Sequence, residues 1–219
     1  MLVNPKTGQI YVYGLIGEIF EGGIGDSSLL VALDQLEGKR ARVHINSPGG
    51  MAYDGIAMYN TLKHYAGGVD TIVDSLAASA AAIVAAAGER RITLTGGQWM
   101  IHRAMGRAFG NREELTAELP KRIAQLDAMD SSQQEIFGKL LGDGVDVMAL
   151  LSAQTWFTGD EAVAAGLSTE RSNELAIQPQ VAAWFRHPPE SIAAYSPEAI
   201  VPKFAVRRQA AALRRSLVR

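Results

Sequence analysis

An α/β fold, built from βαβ units on a largely parallel sheet, is predicted by three features of this 219-residue sequence. Short alternating or β-branched runs recur at 9–17, 41–45, 69–73 and 91–95. Between them lie helical patterns of roughly 10–15 residues, the length of crossovers joining parallel strands. Glycine-rich turns at Gly22-Gly23, Gly49-Gly50, Gly67-Gly68 and Gly96-Gly97 mark the breaks.

The elements follow in order. Residues 9–17 read as a first strand, ending in the turn around Gly22, Gly23 and Gly25. Asp26 or Ser27 can cap a helix through about Leu36, with Leu29, Leu30, Leu33 and Leu36 on one face. The strand 41–45 runs straight into Asn46-Ser47-Pro48-Gly49-Gly50. A helix over 52–65 turns Ile56, Tyr59 and Leu62 to the core, and the buried strand 69–73 follows. Residues 74–88, DSLAASAAAIVAAAG, read as a helix, because alanine has the highest helix propensity. Trp99-Met100-Ile101-His102 reads as a further short strand. From 111 to 141 the apolar residues Leu115, Leu119, Ile123, Leu126, Met129, Ile136 and Leu140 recur at helical spacing. Pro120 predicts a kink or restart within that helix. Its single apolar stripe packs either on its own domain or on another subunit. Short helices at 145–152 and 159–165 flank Gln154-Thr155-Trp156-Phe157-Thr158. After Leu167 the composition shifts, with Pro179, Pro188, Pro189, Pro197 and Pro202 and weak periodicity. The predicted organisation is therefore a domain over 1–167 and a loop-rich or partly disordered extension over 168–219, ending in a basic helix candidate.

A hydrophobic content of 47% with 20% charged residues is ordinary for a globular protein. The net charge of −2 gives no reason to expect nucleic acid or an anionic membrane as partner. No apolar run reaches the roughly 18–20 residues that span a bilayer, and residues 1–9 lack the pattern of a secretory signal. The absence of cysteine excludes disulfides, thiolate metal sites and cysteine nucleophiles. His44, His64, His102 and His187 show no metal-ligand spacing, so neither metal nor cofactor is expected. The expected setting is the cytoplasm.

Three features could carry chemistry. Ser79 sits among alanines where a buried strand gives way to a helix. Taken alone it reads as a small residue in a tight helix contact. The sharper reading is a nucleophile served by backbone N–H groups and the helix dipole. Gly49 and Gly50 follow a strand directly, and paired glycines let backbone approach a ligand. They make either a plain turn, or an oxyanion hole and a clamp for an extended peptide. His102 suits a general base, since its ordinary pKa lies near neutrality. Spacing alone does not choose a carboxylate for it among Asp127, Asp130, Asp146, Asp160 and Glu161.

The stretches INSPGG (45–50), DSLAASAAAIVAAAG (74–88), MIHRAMG (100–106) and TWFTGDEAVAAGL (155–167) resemble the Clp protease proteolytic subunit in order and spacing. The wording DGIAMYNTL and TWFT looks most like the phage and prophage branch, associated with head maturation. The resemblance implies a crotonase-like stack of βαβ units with a long projecting handle helix over 111–141. It implies a serine endopeptidase with Ser79 as nucleophile, His102 as base, and the N–H groups of Gly50 and Ala80 as oxyanion donors. It also implies homo-oligomeric rings of seven, single or stacked in pairs, and polypeptide substrate held beside Gly49 and Gly50. A phosphate-binding loop of the Walker type is lacking, so any ATP use would come from an AAA+ ATPase partner.

One position departs from the family pattern. Gln154 stands where the family usually carries the acidic third member. Its carbonyl can hold the imidazole tautomer but brings no charge. The expectation is a working but weakened triad, or a neighbouring carboxylate such as Asp146 in its place. The alternative is a catalytically weak ring component that serves assembly.

Overall fold

A computed structural model of the protein describes residues 1–173. The first half runs β1 (Leu2–Asn4), β2 (Gln9–Tyr13), α1 (Asp26–Asp34), β3 (Ala41–Ser47), α2 (Ala52–Lys63), β4 (Val69–Ala78) and α3 (Ala80–Ala85). The second half runs β5 (Arg90–Leu94), β6 (Gln98–Ile101), α4 (Arg112–Leu141), α5 (Val147–Ser152), β7 (Thr155–Thr158), α6 (Gly159–Ala165) and β8 (Glu170–Ser172). The sheet order is β1-β2-β3-β4-β5-β8. Strands β2 to β5 and β8 are parallel, and β1 pairs antiparallel with β2. Their β-branched residues, among them Ile10, Val12, Val43, Ile45, Val69 and Val73, are buried, as parallel strands require. The predicted α/β stack is what the chain adopts.

Sheet and site meet at the C-terminal third of β4. This strand is longer than its β-branched run: residues 74–78, expected as helix, continue the strand instead. The cause is pairing on both sides. Ser47 of β3 is in register with Ala77, and Leu76, Ala77 and Ala78 pair in parallel with Gln98, Trp99 and Met100 of β6. Alanine's helix propensity, about a few tenths of a kcal/mol per residue over its competitors, yields to that pairing. Only Ala80–Ala85 is helical, and every residue of α3 is buried. A side chain added at Gly55 of α2 would stand 3.0 Å from the Ala80 methyl, so small residues on both helices permit the close approach.

α4 runs uninterrupted through Pro120 and opens with a capping box between Asn111 and Glu114. The predicted restart does not occur. The halves of the helix differ in burial. Ile136, Phe137 and Leu141 are core residues, whereas Leu119 and Ile123 are exposed. The N-terminal half thus carries its apolar residues away from the domain core. No helix among the described residues is long and apolar enough to cross a membrane.

Residues 168–173 also belong to this unit: β8 pairs with β5, and Ser168 Oγ lies 2.6 Å from Thr93 Oγ1. The rest of the predicted extension, including the basic helix candidate at 206–219, lies outside the described residues.

Candidate active site

Ser79 is the single residue between β4 and α3, with φ 57° and ψ −126°. A positive φ is uncommon for a residue with a side chain and costs of order 1–3 kcal/mol. The surroundings enforce it. The strand pairing of 76–78 reaches the residue before, and Ser79 N–H donates to Met100 O at 2.8 Å. The chain must then turn at once into α3, which swings the hydroxyl clear of both elements. This sharp strand-to-helix turn is the geometry that exposes a nucleophilic oxygen.

His102 follows β6 directly. That strand is locked by Trp99, which is fully buried and donates its indole N–H to Thr93 Oγ1 at 2.9 Å. On its other side β6 pairs antiparallel with β7, from Gln98 opposite Thr158 to Ile101 opposite Thr155. The result brings His102 Nε2 to 2.7 Å from Ser79 Oγ. Burial disfavours the imidazolium and lowers the His102 pKa from its ordinary value, while the Asp130 carboxylate pulls the other way. Burial thus favours the neutral imidazole, the form that can accept a proton.

The glycine turn lies against the same junction. Gly49 has φ 93°, and a Cβ there would fall 2.5 Å from Ala78 O and 2.7 Å from Ser79 Cβ. Gly50 has φ 150°, and a Cβ there would overlap Ile16 O. Ile16 N–H donates to Gly49 O and Met51 N–H to Ile16 O, both at 2.9 Å. The N–H of Gly50, between them, donates to no backbone acceptor among the described residues, nor does that of Ala80 at the start of α3. Two such donors beside one hydroxyl suit a developing oxyanion.

A cleft of about 330 Å³ opens over Ser79 and His102. Ile83, Met105, Leu126 and Met129 give it an apolar wall, and Arg107 and Arg122 also line it.

The carboxylates considered for His102 sit in different places. Asp146 is exposed and caps α5, accepting from Ala149 N–H at 2.9 Å. Gln154 immediately precedes Thr155, the residue that pairs with Ile101, while His102 immediately follows Ile101. Gln154 is exposed, has φ 53°, and among the described residues makes no side-chain hydrogen bond with His102. Asp130 is buried on α4, where it accepts Arg103 Nε and Ala104 N–H, and its charge works against the larger lowering effect of burial on the His102 pKa. Sequence spacing put Asp130 among five candidates without distinguishing it.

His44 is fully buried and pairs through Nδ1 with Asp74 at 3.0 Å, away from Ser79. Tyr13 donates to the same carboxylate, and burial together with that carboxylate raises the phenol pKa. Among the described residues, no group of three or more His, Asp or Glu side chains could hold a metal ion.

Residues 24–170 match the Clp protease family. The chain belongs to the Clp protease family. An ATP-dependent Clp protease proteolytic subunit of Bacteroides thetaiotaomicron is 34% identical over 150 residues, covering 64% of this chain and 64% of the relative. The chain thus spans just under two thirds of that relative's length. A proteolytic subunit of Bacteroides fragilis is 32% identical over 145 residues, covering 64% of this chain and 68% of that protein. Among solved structures, a mutant ClpP1 from Listeria monocytogenes aligns with a TM-score of 0.66 at 19% identity. The match covers 78% of this chain and 94% of the other, which places this Clp family member in the same fold.

Proposed function

We propose that this Clp family chain is a serine endopeptidase acting through an acyl-enzyme. The observation that carries the reading is the 2.7 Å contact between Ser79 Oγ and His102 Nε2 at a strained strand-to-helix turn. His102 takes the hydroxyl proton as Ser79 Oγ bonds to the scissile carbonyl carbon. The N–H groups of Gly50 and Ala80 hold the oxyanion. The carbon–nitrogen bond then breaks, and the leaving amine takes the proton from His102. Water repeats the sequence on the ester and frees Ser79. Substrate runs extended beside Gly49 and Gly50, and the apolar wall of the cleft favours an apolar side chain next to the scissile bond.

The reading extends to assembly. The exposed apolar residues Leu119 and Ile123 suit a helix that meets another subunit, in heptameric rings, single or stacked, enclosing the sites. An AAA+ ATPase is the partner such a chamber would need to admit folded substrate, in the cytoplasm of a bacterium or an infected host. The DGIAMYNTL and TWFT wording favours the phage or prophage branch, with capsid or scaffold proteins as substrates. The relatives' name, proteolytic subunit of an ATP-dependent protease, supports the peptidase and ATPase parts of this reading.

A fluorophosphonate probe and native mass spectrometry on the same sample test it. Labelling at Ser79 in a ring-sized particle is the expected result. Absence of labelling in a folded ring would favour the second reading, an assembly component with a degraded site, for which the uncharged Gln154 is the motive.

A further inference from the structure

We propose that Asp130 is the positioning residue of His102, fixing the segment after the imidazole and supplying the negative charge that Gln154 lacks. The inference rests on the Ser79–His102 reading above. Its own support is the place of the carboxylate. Asp130 is 2% exposed although it sits on a helix whose preceding turns are largely solvated. It accepts Ala104 N–H at 2.6 Å, Arg103 Nε at 2.6 Å and, at 3.4 Å, Gln133 Nε2. Two of these three donors belong to the residues immediately after His102.

That segment needs an anchor. The strand pairing ends at Ile101, opposite Thr155. Beyond His102 the backbone is held by Arg103 N–H to Leu151 O at 3.1 Å and by Ala104 N–H to Asp130. The backbone that carries His102 is thus held by strand pairing before it and by Asp130 after it. Burying a carboxylate charge is costly unless it is paired, and here Arg103 and a backbone N–H pair with it. The retained charge favours the imidazolium that forms when Ser79 gives up its proton.

The groups facing His102 are few. Ser79 comes from the β4–α3 junction, and Gln154 precedes β7; both are uncharged. α4 brings Gln133 and Arg122 into the cleft, with Asp130 behind them against Arg103 and Ala104; Arg107 lies on the loop beyond Met105. Arg103 is shared between Asp130 and Asp127, the latter at 3.3 Å. Asp130 is the sole buried carboxylate in this set.

Two substitutions separate charge from scaffold. Asp130→Asn keeps an acceptor for Ala104 N–H but removes the charge. Arg103→Met removes the cation that offsets Asp130. The His102 titration, followed by NMR and assigned with His102→Gln, should move about one pH unit lower in Asp130→Asn and measurably higher in Arg103→Met. The acid limb of kcat/KM should move in the same directions, and kcat of Asp130→Asn should fall roughly 10- to 100-fold. A carboxylate that only scaffolds would lower kcat and leave both titrations unmoved, which overturns the proposal. If Asp130→Asn does not fold, an unshifted titration in Arg103→Met overturns it equally. Absence of Ser79 labelling and peptide cleavage in the parent would sink the peptidase reading, whereas the NMR titration still decides whether Asp130 acts on His102.

Discussion

The Nε2 atom of His102 stands 2.7 Å from Ser79 Oγ, joining residues 23 positions apart through the pairing of β4 with β6. Because both residues sit at strand ends, their separation depends on a register and not on a flexible loop. Replacing Ser79 by alanine should reduce peptide cleavage by roughly 10⁴-fold or more while preserving the fold. Replacing it by glycine should do the same and also raise Tm, since glycine adopts φ 57° without strain. Thermal unfolding of the two variants side by side checks this; a Ser79→Gly variant less stable than Ser79→Ala contradicts it.

The pH dependence follows from the lowered His102 pKa. The acid limb of kcat/KM should lie below about pH 6.5, the ordinary histidine value, with activity rising as pH increases through it. The folded state binds the His102 proton less well than the unfolded chain does. Its contribution to stability is therefore complete above the unfolded value near 6.5 and is lost as pH falls through the folded one. A limb above about 7 for the parent would show that the burial of His102 is not what governs its titration.

Gly49→Ala places a methyl 2.7 Å from Ser79 Cβ on a backbone with φ 93°. The variant should lose about 3 kcal/mol or more of stability and nearly all activity, read by denaturant titration and a peptide assay. Gly96→Ala serves as control. It has a positive φ but nothing within 4 Å of the added methyl, so it should cost less and leave kcat unchanged.

Gln154→Glu sets a carboxylate next to Thr155, which pairs with Ile101 just before His102. The acid limb should move to higher pH, with kcat unchanged or raised several-fold. Loss of activity in this variant would exclude position 154 from tuning the imidazole.

The halves of α4 should respond differently to truncation. Phe137→Ala, in the core, should cost about 3–5 kcal/mol of stability. Ile123→Ala, on the exposed half, should leave the Tm of the protomer within a degree or two and lower the native mass of the assembly. An unchanged assembly in Ile123→Ala, Leu119→Ala and their double variant would remove this face from subunit pairing.

The strand–helix alternation was legible in the chain's own residues, because β-branched runs and amphipathic helices announce themselves over a few positions. So were the glycines: Gly49 and Gly50 are demanded by a local backbone that only glycine adopts freely. Ser79 and His102 stood out through motifs whose order resembles one family. The end of β4 was not legible. Residues 74–78 are alanine-rich and helix-prone, and only pairing with β3 and β6, distant in sequence, holds them extended. Nor did spacing choose among five carboxylates, since Asp130, 28 residues beyond His102, meets the segment after that histidine solely through the packing of α4. Packing settled those two points, setting Ser79 at a turn and Asp130 against Arg103 and Ala104, the residues after His102. Both depend on which distant segments lie side by side, and no local propensity encodes that.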